Sequence, residues 1–243
     1  MWAIYKREMQ AYFICPIGYV FSAIFFALSG VIFSITTFGM SSTSTKLYFV
    51  FILMTFIVLI PLLTMKLLSE ERNSKTEQIL LTSPVSLMGM ILGKFFAAYT
   101  LFAGTFLSSC VLNIFTLYNF AKNQEDVINK LNLPTVTGSI IGILLLGGVF
   151  IAIGLLISSL TQAQIIAAVG SIGCFVLLFM FSVIPAFIDS SFVRLVIKWF
   201  SVFDRYYVFT EGVFDLTAAV YYISLTLVFL FITVRVYEKR RWS

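Results

Sequence analysis

Histidine is absent from the 243 residues, and with it go the commonest general base and the zinc-binding pair of helical metalloproteases. Charge is nearly as scarce: 11% of residues are charged, against roughly 25% in a soluble domain. With 60% of the chain hydrophobic, the solvent for this fold is a bilayer. The three cysteines, Cys15, Cys110 and Cys174, lie in or beside apolar stretches without metal-ligand spacing, and read as packed thiols. No glycine-rich phosphate loop occurs, since Gly93-Lys94-Phe95 lacks both the upstream glycine and the hydroxyl. The chain therefore does not hydrolyse ATP alone. Neither a catalytic Asp pair nor a serine with a base is present for intramembrane proteolysis. The net charge of +5 gathers in no basic cluster longer than Glu238-Lys-Arg-Arg241, so it orients the chain in a membrane instead of binding nucleic acid.

What the chain has in abundance is long apolar runs. A crossing needs about 20 such residues, and six segments supply them: 17–38, 47–68, 95–117, 137–160, 165–187 and 218–234. The fold class is all-α, polytopic. The last span is the shortest, with Tyr221 and Tyr222 at its interface. Near the middle of these spans there is no Asp, Glu, Lys or Arg; a charge there costs about 2.5–3.5 kcal/mol and is normally kept for ion coupling. A proton-driven transporter is disfavoured. Asn113 and the scattered Ser and Thr residues serve hydrogen bonding within the bundle.

An even number of crossings places both termini on one side. That side carries Lys6, Arg7, Lys66, Arg72, Lys75, Lys94, Arg235, Lys239, Arg240 and Arg241; the other carries Lys46, Lys122, Lys130, Arg194, Lys198 and Arg205. The richer side is cytoplasmic. The first apolar run is too long for a signal peptide and lacks a small-residue cleavage site. Ahead of it, Trp2, Tyr5, Met9 and Tyr12 recur at helical spacing opposite Lys6, Arg7 and Gln10, as in a helix lying on the membrane surface.

Small residues mark close helix packing: Ala23, Ala27, Gly30 and Ser34 in the first span, and Gly138, Gly142, Gly147, Gly148 and Gly154 in the fourth. Such ridges pack one protomer internally or pair two. Pro61 and Pro185 fall near span ends, where a kink is tolerable. Segment 189–216 is too polar for a span and too aromatic for an ordinary loop. Phe192, Leu195, Val196, Trp199 and Phe203 follow helical spacing, predicting an extracytoplasmic helix that rests on the membrane or dips into it.

The densest polar stretch is Ser69 to Ser86, between the second and third spans. The sequence predicts a short surface helix capped by Ser69, with Glu70 and Glu71 in its first turn. Glu71 and Lys75 form an i,i+4 pair, Ile79, Leu80 and Leu81 make an apolar tip, and Pro84 ends the helix. An apolar tip beside a charged face suits a groove on a soluble partner. Lys94 is read as reaching from the start of the third span to the cytoplasmic surface.

At these residues the chain resembles the permease subunits of ABC-2 type transporters. The resemblance runs through Pro61-Leu-Leu-Thr-Met65, Ser69-Glu-Glu-Arg72, Lys75-Thr76-Glu77, Leu80-Leu81-Thr82-Ser83-Pro84-Val85, Gly93-Lys94-Phe95, Gly154-Leu-Leu-Ile-Ser-Ser-Leu-Thr161, Gln164-Ile-Ile-Ala167 and Gly212-Val-Phe-Asp-Leu216. It is closest to the gliding-motility-associated branch and similar to the copper-site maturation permeases of nitrous oxide reductase. It implies a half-transporter in the inner membrane: an interfacial N-terminal helix, six spans, a coupling helix in 69–86 and a re-entrant element before the last span. Two permeases, identical or paralogous, would stand over two separate ABC ATPase subunits that bind ATP and Mg, with an extracytoplasmic auxiliary subunit as a further partner. This chain would hold no cofactor or metal. Glu70, Glu71, Arg72, Lys75, Thr76, Glu77 and Leu80 would contact the ATPase, and Pro84 would set the turn into the third span. The resemblance implies export of a substrate it does not name, or force transmission in the cell envelope without a small solute. A channel or secondary transporter working alone is the remaining reading.

Overall fold

Lipid offers no partner to backbone N–H and C=O groups, so each apolar run must bond internally, and each does so as a helix. A computed structural model of the chain describes residues 1–39, 45–74, 86–121, 133–187, 194, 197, 199 and 201–242. Among them are nine α-helices and no strand: α1 (Trp2–Ile14), α2 (Ile17–Phe33), α3 (Thr45–Thr64), α4 (Lys66–Asn73), α5 (Leu87–Ala121), α6 (Leu133–Leu160), α7 (Gln164–Val183), α8 (Val202–Thr210) and α9 (Leu216–Trp242). A π-helical turn, Ser34–Gly39, extends α2. Six stretches are long and apolar enough to cross a membrane: Ile17–Thr36, Lys46–Asn73, Leu87–Thr116, Pro134–Leu160, Gln164–Val183 and Leu216–Arg240. The protein is an all-α, multi-pass membrane protein.

Two spans differ most from the sequence reading. The third crossing begins at Leu87, not at 95, because Leu87 to Leu92 continue the helix beneath Lys94. The last is not the shortest, since its helix runs unbroken into the basic tail as far as Trp242.

Helix α6 is the centre of the bundle. In its most apolar stretch 67% is buried, against 22% in α7 and 28% in the α2 span. Its glycines explain why neighbours in the same chain approach so closely. A Cβ at Gly154 would collide with Thr64, one at Gly147 with the Phe102 ring, one at Gly142 with Tyr206, and one at Gly138 with the Phe209 carbonyl. The small residues of α2 behave oppositely: Ala23, Ala27, Gly30 and Ser34 are exposed, with nothing near a Cβ built on Gly30. Between α2, α3 and α5, the buried hydroxyls of Ser29, Tyr48 and Ser109 join the Asn113 amide in one network. Asn113 thus bonds within the bundle.

Helix α8 is buried more deeply than a helix lying on the surface. Phe203 packs against Phe150 and Phe179, with ring centroids 5.9 and 5.3 Å apart. From there α8 climbs antiparallel to α6, past Gly142 and Gly138, to a turn at Gly212 beside Pro134. Gly212 has φ +80, and an added Cβ would lie 3.2 Å from the Thr135 nitrogen, so both conformation and space demand glycine there. Ser201 caps α8 by accepting from the Asp204 amide at 3.2 Å. Tyr222, fully buried, donates to the Val202 carbonyl at 2.7 Å, and Tyr221 lies half-buried under the Arg205 guanidinium, 3.9 Å from its ring centre. Trp199 is exposed; Phe192, Leu195 and Val196 lie outside the described residues.

These contacts sort the ends of the bundle. The start of α1, α4, the end of α6 and the end of α9 gather at one end, joined by Arg7 to Glu71, Arg72 to Leu160 and Arg240 to Ser159. The α8 turn and the start of α9 lie at the other.

Candidate functional site

The polar stretch begins as a continuation of the second span. Pro61 sits inside α3, which runs on to Thr64; the helix then breaks at Met65 and resumes as α4. Ser158 of α6 supplies the physical cause. Its hydroxyl donates to the Met65 carbonyl at 3.1 Å and accepts from the Leu68 and Ser69 amides at 3.2 and 3.1 Å. A side chain inserted into the backbone ladder in this way is an ordinary origin of a helix kink.

Ser69 is not a helix cap. It lies within α4, fully buried, and its hydroxyl donates back to the Met65 carbonyl, as serines inside helices do. Because α4 starts at Lys66, Glu70 and Glu71 fall in its second half and not in a first turn. The N-terminal dipole therefore does not act on them.

Glu70 and Glu71 diverge. Glu70 has a half-exposed side chain, 3.9 Å from Lys66. Glu71 points inward: its Oε1 lies 2.8 Å from Lys94 Nζ and 2.9 Å from Arg7 Nη2. Glu8 Oε1 meets the same two cations, at 3.2 and 2.7 Å. Lys94 is itself fully buried, and its third hydrogen bond goes to the Leu67 carbonyl at 2.7 Å. All three donors of the ammonium are thereby used. The reading of Lys94 as a side chain reaching the surface is corrected here: with α5 starting at Leu87, Lys94 lies well inside the helix and opposite two carboxylates. Two cations and two carboxylates make the cluster neutral. The side-chain hydrogen bond to Glu8 raises the Arg7 guanidinium above its ordinary pKa, despite partial burial.

Glu8 belongs to α1, where Ile4 and Tyr12 are buried and Tyr5 and Met9 half-buried against the bundle, while Lys6, Arg7 and Gln10 are exposed. The amphipathic pattern holds except at Trp2, which is exposed and stacks on Tyr5 at 5.2 Å. Tyr5 donates to Thr100 and Tyr12 to the Leu63 carbonyl, each at 3.3 Å. Burial pushes the Tyr12 hydroxyl well above its usual pKa, and the Glu8 charge adds to this.

Arg72 donates to the Leu160 carbonyl at 2.9 Å, and Arg240 donates to the Ser159 carbonyl. The last carbonyls of a helix have no intrahelical partner and carry the negative end of its dipole, so both arginines are well placed. Of the residues expected at the ATPase, Glu70, Glu71 and Arg72 are brought to this end of the bundle. Lys75, Thr76, Glu77, Leu80 and Pro84 lie outside the described residues.

The residues that sequence reasoning passed over are Glu8, Ser158 and Arg240. Glu8 left a signal: a carboxylate on the same helical face as Tyr5 and Tyr12 must be paired. Among the described residues no group of three or more His, Cys, Asp or Glu is placed to hold a metal ion. No curated protein matches the chain. The sequence model of the family described as ABC-2 family transporter protein matches residues 32–237.

Proposed function

For a chain that belongs to the ABC-2 transporter family, and so is the membrane permease of an ABC transporter, we propose export of a substrate from the cytoplasm, driven by ATP hydrolysed on two separate ATPase subunits. A second permease, identical or related, completes the pathway. ATP and Mg belong to the ATPases; this chain contributes no nucleotide site. Both termini, α4 and the Thr161 to Ala163 turn face the cytoplasm of a cell with this protein in its inner membrane, consistent with the excess of Lys and Arg there.

One observation supports this reading above the others: α4 is gripped from three sides, by Lys94 of α5, by Arg7 of α1 and by the Ser158 and Leu160 end of α6. A displacement of the chain beyond Asn73 is then passed to the bundle as rigid-body motion instead of being lost in a loop. Glu70, the polar residues Lys75, Thr76 and Glu77, and the apolar Leu80 form the contact with the ATPase groove, and Pro84 sets the turn into α5.

The test is co-purification of the chain with its ABC ATPase, followed by ATP turnover in proteoliposomes. Reversal of Glu70 and Glu77 to Lys is expected to reduce both association and permease-dependent turnover. Unchanged association and turnover would remove the docking assignment.

A further inference from the structure

We propose that Lys94 is a positioning residue that obliges the amphipathic helix α1 to travel with α4; this rests on the coupling reading above. Nothing covalent nearby joins the two helices. Their link is the Lys94 ammonium, which bonds Glu8 of α1 on one side and Glu71 and the Leu67 carbonyl of α4 on the other. Arg7 bridges the same two carboxylates from the rim, more than half exposed.

Lys94 has only 1% of its side chain exposed, and the two carboxylates have 13% and 15%. Separation of α1 from α4 would strand a buried ammonium and a buried carboxylate, each facing a desolvation cost with no partner. A buried ion bridge is a weak source of stability, since apolar groups of like shape do as well, but it strongly disfavours every arrangement that parts its members. It therefore acts on relative position more than on folding. Backbone packing beside it fits the same role: α1 seats directly on Gly93, where an added Cβ would lie 3.2 Å from Ile4 and from the Met1 carbonyl. ATP-driven displacement of α4 is thus delivered to a helix at the membrane surface as well as to the spans.

The experiment uses the full chain with its ATPase in nanodiscs, in a background lacking the native cysteines. Spin labels at Gln10 of α1, Asn73 of α4 and Val228 of α9, all exposed sites, report distances with and without a non-hydrolysable ATP analogue. In the parent protein the Gln10 to Asn73 distance stays constant while both shift relative to Val228. The triple variant Lys94→Met, Glu8→Gln, Glu71→Gln removes the buried charges together and leaves only Arg7, which is more than half exposed and solvated by water, so it folds. In it the Gln10 to Asn73 distance changes with nucleotide by about 2 Å, the scale of helix shifts at interfaces. Lys94→Arg in the parent, which keeps charge and donors beside Glu8 and Glu71, retains the constant distance. If α4 moves and α1 stays behind in the parent, or if the triple variant holds its distance as the parent does, the inference is overturned alone. If nucleotide moves neither helix in any protein, the coupling reading falls and takes the inference with it.

Discussion

Glu70 and Glu71 are adjacent in sequence and face opposite ways: Glu71 meets buried Lys94 at 2.8 Å, whereas Glu70 pairs with the partly exposed Lys66 at 3.9 Å. The same substitution should therefore have different effects at the two positions. Glu71→Lys places a third cation against Lys94 and Arg7 and leaves Glu8 as the only carboxylate. Loss of one partner from a buried pair costs about 3–5 kcal/mol, so this variant is expected to unfold earlier in detergent and to accumulate poorly. Glu70→Lys breaks only a weak surface pair, worth about 0–1 kcal/mol. It should fold normally and lose ATPase association, as thermal unfolding and co-purification together would show.

Gly154 of α6 differs from Gly30 and Gly104 in what lies opposite. Gly154→Val drives two methyl groups toward Thr64, and overpacking of this kind costs about 1–3 kcal/mol. Gly30→Ala and Gly104→Ala enter open space in one protomer, and alanine is a better helix former by about 0.5–1 kcal/mol. Unfolding midpoints should fall for the first and hold or rise for the other two. A fall at Gly30 would mean that another surface covers it.

Arg72 caps the exposed end of α6 at Leu160. Arg72→Gln keeps a donor but shortens the reach and removes the charge from the negative end of the helix dipole, a loss of about 0.3–1 kcal/mol at an exposed site. The expected result is near-normal stability with faster amide exchange over residues 158–163. Unchanged exchange there would mean that the Arg72 contact does not hold the turn.

Cys15 is exposed, Cys110 is 2% exposed, and Cys174 is intermediate. A membrane-impermeant maleimide should label Cys15 quickly and Cys110 not at all in the folded protein. With α1 on the cytoplasmic side, Cys15 reacts in inside-out vesicles and is protected in right-side-out ones. The reverse pattern would invert the topology.

Most of the fold was legible because hydropathy alone marks a span: the six runs, the amphipathic face of α1 and the glycine ridge of α6 can all be read by counting residues. The errors came where partners lie far apart in the chain. Lys94 looked like a span boundary because a lysine normally marks water, and nothing local reveals Glu8, which lies in another helix. Ser69 looked like a cap because a serine ahead of two glutamates usually is one; the real start of α4 is set by Ser158, from a different span. The position of Glu71 follows from that shift, since the true start at Lys66 decides which face each carboxylate takes.

Helix α6 has 28 residues, a rod of about 42 Å at 1.5 Å per residue. At one end its Ser158 hydroxyl and Leu160 carbonyl hold α4; at the other its Gly138 and Gly142 lie against Phe209 and Tyr206 of α8. A hydrogen-bonded rod of this kind neither stretches nor compresses appreciably. If α4 is displaced, a single helix would carry that displacement, as a pushrod, to the end where α8 packs.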